Sequence, residues 1–107
     1  MKRTHFTRAL AELIMYICNE GDLPILDYVK RSDEEQKRLF DLGLSKCDGV
    51  NKISQHQKGR AADIYLLDEN GALLDWNKVI DKRTKYRDFW ENSGGAKMID
   101  WDQGHWE

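Results

Sequence analysis

Apolar side chains recur at helical spacing near the start of the chain and predict a first helix over residues 5–19. They form one stripe made of Phe6, Ala9, Leu10, Leu13, Ile14 and Ile17. Gly21 is expected to end this helix. Cys18 lies within the same apolar stretch and is expected to be buried. His5 stands at the head of the helix, where an exposed histidine is the simpler expectation than a metal ligand.

The next segment predicts a short strand followed by a second helix. Residues 23–29 are mostly apolar, and Pro24 places the start of this strand at a sheet edge. Ser32 and Glu35 have the spacing of a capping box, which predicts a helix over residues 33–42. Its apolar face would be Leu39, Phe40 and Leu42, and Gly43 would end it. Residues 44–55 are polar, have no clear period and predict a loop.

Alternation over residues 61–67 gives the clearest strand signal in the chain. It places Ala61, Asp63 and Tyr65 on one face and Ala62, Ile64 and Leu66 on the other. A turn is predicted over residues 68–71, after which residues 72–76 could return as the hairpin partner.

The last third predicts one more helix and one more strand. Residues 77–92 form the helix, and its apolar positions are Val79, Ile80, Tyr86, Phe89 and Trp90. Gly94 and Gly95 end it, and residues 97–101 are expected to form a short strand. The predicted fold is therefore α+β, a small antiparallel sheet flanked by about three helices, in one domain spanning residues 1–107.

Composition argues against nucleic-acid binding and membrane insertion, but it does not identify a function. The chain has 107 residues and a net charge of −2, which gives no electrostatic reason to expect a nucleic-acid partner. The apolar stretch near the start is too short to cross a membrane, and no signal peptide is evident. We therefore expect synthesis in the cytoplasm and action on an external substrate only after release. Two cysteines do not make a disulfide framework, and oligomeric state is not specified.

Candidate chemistry lies in two segments, one in the middle of the chain and one near its end. His56 stands seven residues before Asp63, and His105 lies near the end of the chain. Two imidazoles and one carboxylate suit a divalent transition metal and leave one coordination position open. Taken singly, His56 could be a surface histidine and Asp63 a charge at a strand end. However, an acidic residue within an apolar strand is uncommon without a partner. Trp101 and Trp106 flank His105 and are expected to anchor it in the core.

These segments resemble the zinc D-alanyl-D-alanine carboxypeptidase and L-alanyl-D-glutamate endopeptidase family, which includes phage endolysins. Ser54-x-His56-x-x-Gly59-x-Ala61-x-Asp63 is similar to its first motif, and Asp102-x-x-His105 to its second. Arg31-Ser, Gln36 and Gly43-x-Ser45 resemble its upstream segment. The resemblance covers about residues 28–107. The stretch from Gly94 to His105 is shorter than is usual in the family.

The resemblance implies one zinc ion bound by His56, Asp63 and His105. Asp102 is the candidate general base, with Glu107 as a weaker alternative. Arg31 would face the substrate and stabilise charge on the scissile carbonyl oxygen, and Arg60 is a lower-ranked substitute.

Two further motif residues are expected to support the ligands rather than to bind the metal. Ser54 is expected to hydrogen-bond around the site. Gly59 is expected where a side chain would strike the metal or substrate, or where φ is positive.

The expected activity is hydrolysis of a peptide bond in peptidoglycan stem peptides. Arg31 is assigned to the carbonyl, and no second cation stands at a motif position to hold a terminal carboxylate. This favours an endopeptidase that cuts between L-alanine and D-glutamate over a D-alanyl-D-alanine carboxypeptidase or dipeptidase. A non-haem iron oxygenase and a non-catalytic metal-binding module are the alternatives from other classes.

Overall fold

The computed structural model describes residues 1–27 and 29–107, and this part of the chain has an α+β fold. Three α-helices combine with a three-stranded antiparallel sheet, as predicted. The helices are α1 (Arg3–Asn19), α2 (Asp33–Asp41) and α3 (Ile80–Asn92). The strands are β1 (Leu23–Leu26), β2 (Ala62–Leu67) and β3 (His105–Trp106). The strand order is β1-β2-β3, so the strand that carries Asp63 is central.

The apolar stripe of α1 forms one side of the core, as its spacing predicts. Phe6, Leu13 and Ile17 are at most 1% exposed, and they share one cluster with the buried side chains of β2 and α3. Burial of each large side chain stabilises the fold by about 1.5–3 kcal/mol. The prediction that Cys18 is buried is wrong, because it is exposed. One residue beyond Ile17 is a rotation of about 100°, which carries Cys18 off the stripe.

Strand β2 separates the core from the opposite face of the sheet. Ala62, Ile64 and Leu66 are buried in the core cluster, whereas Asp63 and Tyr65 are only partly buried. The predicted alternation is therefore confirmed over residues 62–67, and it leaves the Asp63 face accessible. Ala61, which was predicted to share that face, precedes the strand and is fully buried. The strand predicted over residues 23–29 ends at Leu26, and Tyr28 lies outside the described residues.

Helix α2 starts where the capping pattern predicts. The Ser32 hydroxyl accepts a hydrogen bond from the backbone N–H of Glu35 at 3.1 Å. Its predicted apolar face is mostly wrong, because Phe40 and Leu42 are 43% and 59% exposed. Leu39 is buried together with Gln36, which lies three residues earlier and so on the same side of the helix.

Residues 72–76 do not form a regular strand. Leu67 and Leu73 form one isolated bridge, after which the chain enters a single 3-10 turn, Trp76–Lys78. Asp75 caps this turn, since its side chain accepts from the N–H of Asn77 at 2.9 Å. The helix predicted from residue 77 therefore begins later, at Ile80.

The strand predicted over residues 97–101 is also wrong. This segment turns back on itself through an isolated bridge between Ile99 and Asp102. The final strand is β3, which pairs with β2. Trp106 of β3 is fully buried, but Trp101 is 66% exposed and does not anchor the chain end. Both residues are tryptophans, so aromatic character does not distinguish them. Trp106 enters the core because it belongs to the strand that pairs with β2.

Candidate metal centre

Pairing between β2 and β3 places Asp63 directly opposite His105. The register joins Ala62 to Trp106 and Asp63 to His105. Side chains of directly paired residues lie on the same face of a sheet. Because Trp106 enters the core, alternation directs His105 to the outer face beside Asp63. The sheet therefore brings together two residues that are 42 positions apart in the sequence.

A glycine lets the end of the chain approach β2 this closely. The carbonyl of Gly104 accepts a hydrogen bond from the N–H of Ile64 at 2.8 Å. A Cβ atom at Gly104 would lie 2.5 Å from the ring of Tyr65, which is a severe overlap. A side chain at this position would require the Tyr65 ring or the chain end to move.

His56 reaches the same point from the turn that precedes β2. Its backbone N–H donates to the Ser54 hydroxyl at 3.2 Å, as expected for a supporting residue. Its Nδ1 donates to the carbonyl of Val29 at 3.2 Å, because a carbonyl can only accept. With Nδ1 occupied in this way, Nε2 is the ring nitrogen that faces Asp63 and His105. A backbone carbonyl on the outer nitrogen is the usual support of a metal-binding histidine.

Three ligand atoms converge at this point. Nε2 of His56 lies 3.1 Å from Nδ1 of His105 and 3.2 Å from Oδ1 of Asp63. Nδ1 of His105 lies 3.6 Å from the same carboxylate oxygen. The structure brings these three predicted ligands together, and the group could hold a metal ion.

The triangle has the size that a tetrahedral metal needs. Bonds of about 2.1 Å at tetrahedral angles separate the ligand atoms by about 3.4 Å. The observed separations of 3.1–3.6 Å bracket this value. Three protein atoms fill three corners, so the fourth remains for water or substrate.

The electrostatics of the triangle keep Asp63 ionised. Burial raises the pKa of Asp63, but the hydrogen bonds with His105 and His56 outweigh it and lower the pKa to about 2. Burial lowers the pKa of His105, but the hydrogen bond with Asp63 and the charge of Glu107 raise it overall. Asp63 therefore contributes a carboxylate charge between the two imidazoles, and a cation bound there would take the place of the protons that they share with it.

A cleft of about 540 Å³ opens onto this triangle. His56, Asp63, His105 and Asp102 all line it. Burial and the charge of Asp63 raise the pKa of Asp102 above its ordinary value. Asp102 also accepts the N–H of His105 at its backbone carbonyl, at 3.1 Å. The candidate base and the third candidate ligand are thus held in one tight turn.

The upstream motif residues form a hydrogen-bonded chain leading to the site. Arg31 is 8% exposed, and its Nη2 lies 3.7 Å from Oδ2 of Asp63. Its Nη1 donates to Oε1 of the fully buried Gln36 at 2.8 Å. Gln36 in turn donates to the Ser45 hydroxyl at 2.7 Å and to the Cys47 carbonyl at 2.6 Å. Arg31, Gln36 and Ser45 therefore tie the loop after α2 to Asp63.

Two cleft residues were missed by the sequence analysis. Lys46 and Lys52 lie in the polar loop of residues 44–55, and both line the cleft. Asp48 shapes this loop, because its Oδ1 accepts the backbone N–H groups of Val50, Asn51 and Lys52 at 2.8–2.9 Å. The aspartate two to four residues before these donors was the available signal.

Three secondary expectations are refined by the geometry. Gly59 has a φ of +67°, and a side chain there would strike Arg3 rather than the metal triangle. Oε1 of Glu107 lies 3.6 Å from Nε2 of His105, so it faces the outer nitrogen of that ring. Arg60 lines a different cavity, beside Glu107, and is not placed to replace Arg31.

Comparison with known proteins finds no relative of this chain. No protein family, curated protein sequence or solved structure matches this chain. Among the described residues, no helix is long and apolar enough to cross a membrane.

Proposed function

We propose that this protein is a zinc peptidase that hydrolyses a peptide bond in peptidoglycan stem peptides. The observation that carries the proposal is the triangle of His56, Asp63 and His105 in the lining of a cleft. The resemblance of the flanking motifs to the zinc carboxypeptidase and endopeptidase family supplies the substrate class. The chain of contacts from Arg31 to Ser45 supports it, because those positions belong to the same resemblance.

Zinc suits the donor set better than the alternatives. Two imidazole nitrogens and one carboxylate oxygen, with one position open, are a common ligand set of catalytic zinc. The same set also suits iron in oxygenases. A three-stranded sheet does not supply the many-stranded barrel in which that iron chemistry usually occurs.

The side chains around the triangle can carry the proton transfers of hydrolysis. A zinc ion bound there would supply a Lewis acid that activates water and polarises a carbonyl group. Asp102 would accept a proton from the attacking water and pass it to the leaving amine. Asp102 is placed for this role because it lines the cleft together with the three candidate ligands. Arg31 would add positive charge beside the carbonyl oxygen while Gln36 fixes its orientation.

The bond between L-alanine and D-glutamate is the proposed target. The cleft is lined from α2, the following loop, β2 and the chain end, and it can receive an internal bond. One observation favours the carboxypeptidase alternative. Lys46 and Lys52 place two cations in the cleft, and a carboxypeptidase needs a cation for the terminal carboxylate of its substrate.

Digestion of purified peptidoglycan, followed by mass analysis of the products, tests the proposal. We expect new L-alanine carboxyl ends with the zinc-loaded protein. Asp102→Asn should keep its zinc and lose about 10²–10⁴-fold of the rate. Asp100→Asn is the matched control, because Asp100 is exposed and does not line the cleft. Release of free D-alanine would identify a carboxypeptidase, and an undigested substrate would refute the peptidase.

A further inference from the structure

The loop of residues 44–55 forms the wall of the cleft that carries positive charge. Lys46 and Lys52 line the cleft that also contains Asp63 and His105. Nζ of Lys46 lies 4.3 Å above the ring centroid of Trp101, which lines the same cleft. A cation over a tryptophan face is stabilised by the ring quadrupole, so this contact orients the lysine at the cleft.

The loop holds both lysines in defined positions. Ser45 and Cys47, which flank Lys46, each accept a hydrogen bond from the fully buried amide of Gln36. Asp48 accepts the backbone N–H of Lys52 at 2.8 Å. The backbone under the two cations is therefore tied to α2 and to its own turn, although both side chains are exposed.

The charges of both lysines are available to a ligand. Within residues 1–27 and 29–107, neither Lys46 nor Lys52 forms an ion pair with a carboxylate of the protein. The cleft also contains the carboxylates of Asp27, Asp63 and Asp102, which would repel an acidic peptide. Two cations in the lining of the same cleft offset that repulsion and mark where a negative group can bind.

We propose that Lys46 and Lys52 form an anion subsite that binds a carboxylate of the substrate peptide while its scissile bond faces the metal centre. The inference rests on the proposed peptidase function and specifies an acidic peptide as the substrate. The carboxylate belongs either to the glutamate residue or to the free carboxyl terminus of the stem peptide. Both present the same chemistry to a lysine pair.

Calorimetric binding of synthetic stem peptides tests the subsite without requiring turnover. The protein is Asp102→Asn with one equivalent of zinc, and the probe carries both the glutamate carboxylate and the terminal carboxylate. We expect Lys46→Met and Lys52→Met each to weaken binding about tenfold, the value of one hydrogen bond to a charged group. Lys46→Arg should retain most of the affinity. Lys37→Met, an exposed lysine of α2 outside the cleft, should leave it unchanged.

Two modified peptides identify the source of the carboxylate. If amidation of the glutamate carboxylate removes the loss of affinity caused by Lys46→Met, the subsite binds the glutamate carboxylate. If amidation of the carboxyl terminus removes it, the subsite reads the chain end. Equal affinities in the Asp102→Asn parent and in both of its methionine variants, or no peptide binding at all, would overturn the subsite.

The outcomes separate this inference from the proposed function. Charge-dependent peptide binding with no digestion of peptidoglycan would leave the subsite standing and refute the peptidase. Digestion at the wild-type rate, with peptide affinity unchanged in both lysine variants, would leave the peptidase standing and refute the subsite.

Discussion

Asp63 is the residue that connects every part of the candidate site. It pairs with His105 across the sheet, contacts Nε2 of His56 at 3.2 Å and lies 3.7 Å from Arg31. Its lowered pKa of about 2 keeps the carboxylate charged at neutral pH. Its position on the central strand fixes the direction of that charge toward the two imidazoles.

Replacing His56 with alanine should abolish stoichiometric zinc binding. A ligand is removed, so the loss of affinity should exceed the 10–100-fold that loss of an outer hydrogen-bonding partner costs. Metal analysis after dialysis gives the measurement. His5→Ala is the control, because His5 is exposed and contacts the carbonyl of Ser93 at 3.0 Å. Full zinc occupancy in the His56→Ala protein would remove this residue from the site.

Residue-level reasoning worked where chemistry restricts the choices. An aspartate inside an apolar strand is expected to have a partner, and the resemblance of the two motifs implied His56 and His105 as those partners. It failed for Trp101, because the presence of a tryptophan does not reveal whether its ring packs inward. The same limit applies to Cys18 and Phe40. Both were predicted to be buried because they are apolar, but their positions on the helix surface leave them exposed.

Asp22 links two elements at the end of the core remote from the metal centre. It follows α1, and its carboxylate accepts hydrogen bonds from Lys82, at 2.6 Å, and from the hydroxyl of Tyr86 on α3. Burial raises the pKa of Asp22, but the bonds from Lys82 and Tyr86 outweigh it and lower the pKa overall. The same burial and carboxylate raise the pKa of Tyr86.

Asp22→Asn should lower the free energy of unfolding at pH 7 by about 1–2 kcal/mol, because it weakens two hydrogen bonds to a charged group. The contribution of Asp22 to the free energy of unfolding is complete above the pKa of about 3.9 that the residue has in the unfolded chain. This contribution is lost as the pH falls through the lower pKa of Asp22 in the folded protein. Denaturation across this pH range should therefore show a flatter acid limb in the variant. Asp88→Asn, exposed on α3, is the control. Parallel acid limbs in wild-type and Asp22→Asn would contradict the link.

Elements with a strong period could be predicted, and elements built by specific contacts could not. The stripe of α1 and the alternation of β2 follow directly from the spacing of apolar residues. The sequence of residues 44–55 has no period. The shape of this loop depends instead on contacts made by Asp48 and by the buried amide of Gln36. The final strand was predicted over residues 97–101 but lies at His105–Trp106. Only the pairing register with β2 defines its position.

At the scale of the whole molecule, the candidate metal centre joins three separate parts of the chain. His56 comes from the turn before β2, Asp63 from β2 and His105 from β3. Trp106 anchors β3 in the core, and the guanidinium of Arg87 lies 3.5 Å from its ring centroid. The chain end is thus held by packing on one face and would be held by the metal on the other. Asp48 indicates a turn in the loop of residues 44–55, but which loop residues enter the cleft depends on long-range packing, so the local pattern does not place Lys46 and Lys52 there.

Zinc should therefore raise the thermal stability of the whole domain. At about 100 times its dissociation constant, a ligand specific for the folded state adds about 2.7 kcal/mol, which corresponds to a rise in Tm on the order of 10 °C. His105→Ala should fold without zinc, since Trp106 remains buried, but should lose most of the rise. Differential scanning calorimetry with and without zinc checks this. An equal rise in the variant would show that zinc acts elsewhere.

X-ray absorption at the zinc edge tests the metal centre most directly. The protein loaded with one equivalent of zinc should show only nitrogen and oxygen neighbours at about 2.0–2.1 Å, with the outer-shell scattering of two imidazoles. That result corresponds to His56, His105, Asp63 and one non-protein oxygen. A sulfur neighbour at about 2.3 Å would contradict the assignment, because it would place Cys18 or Cys47 on the metal.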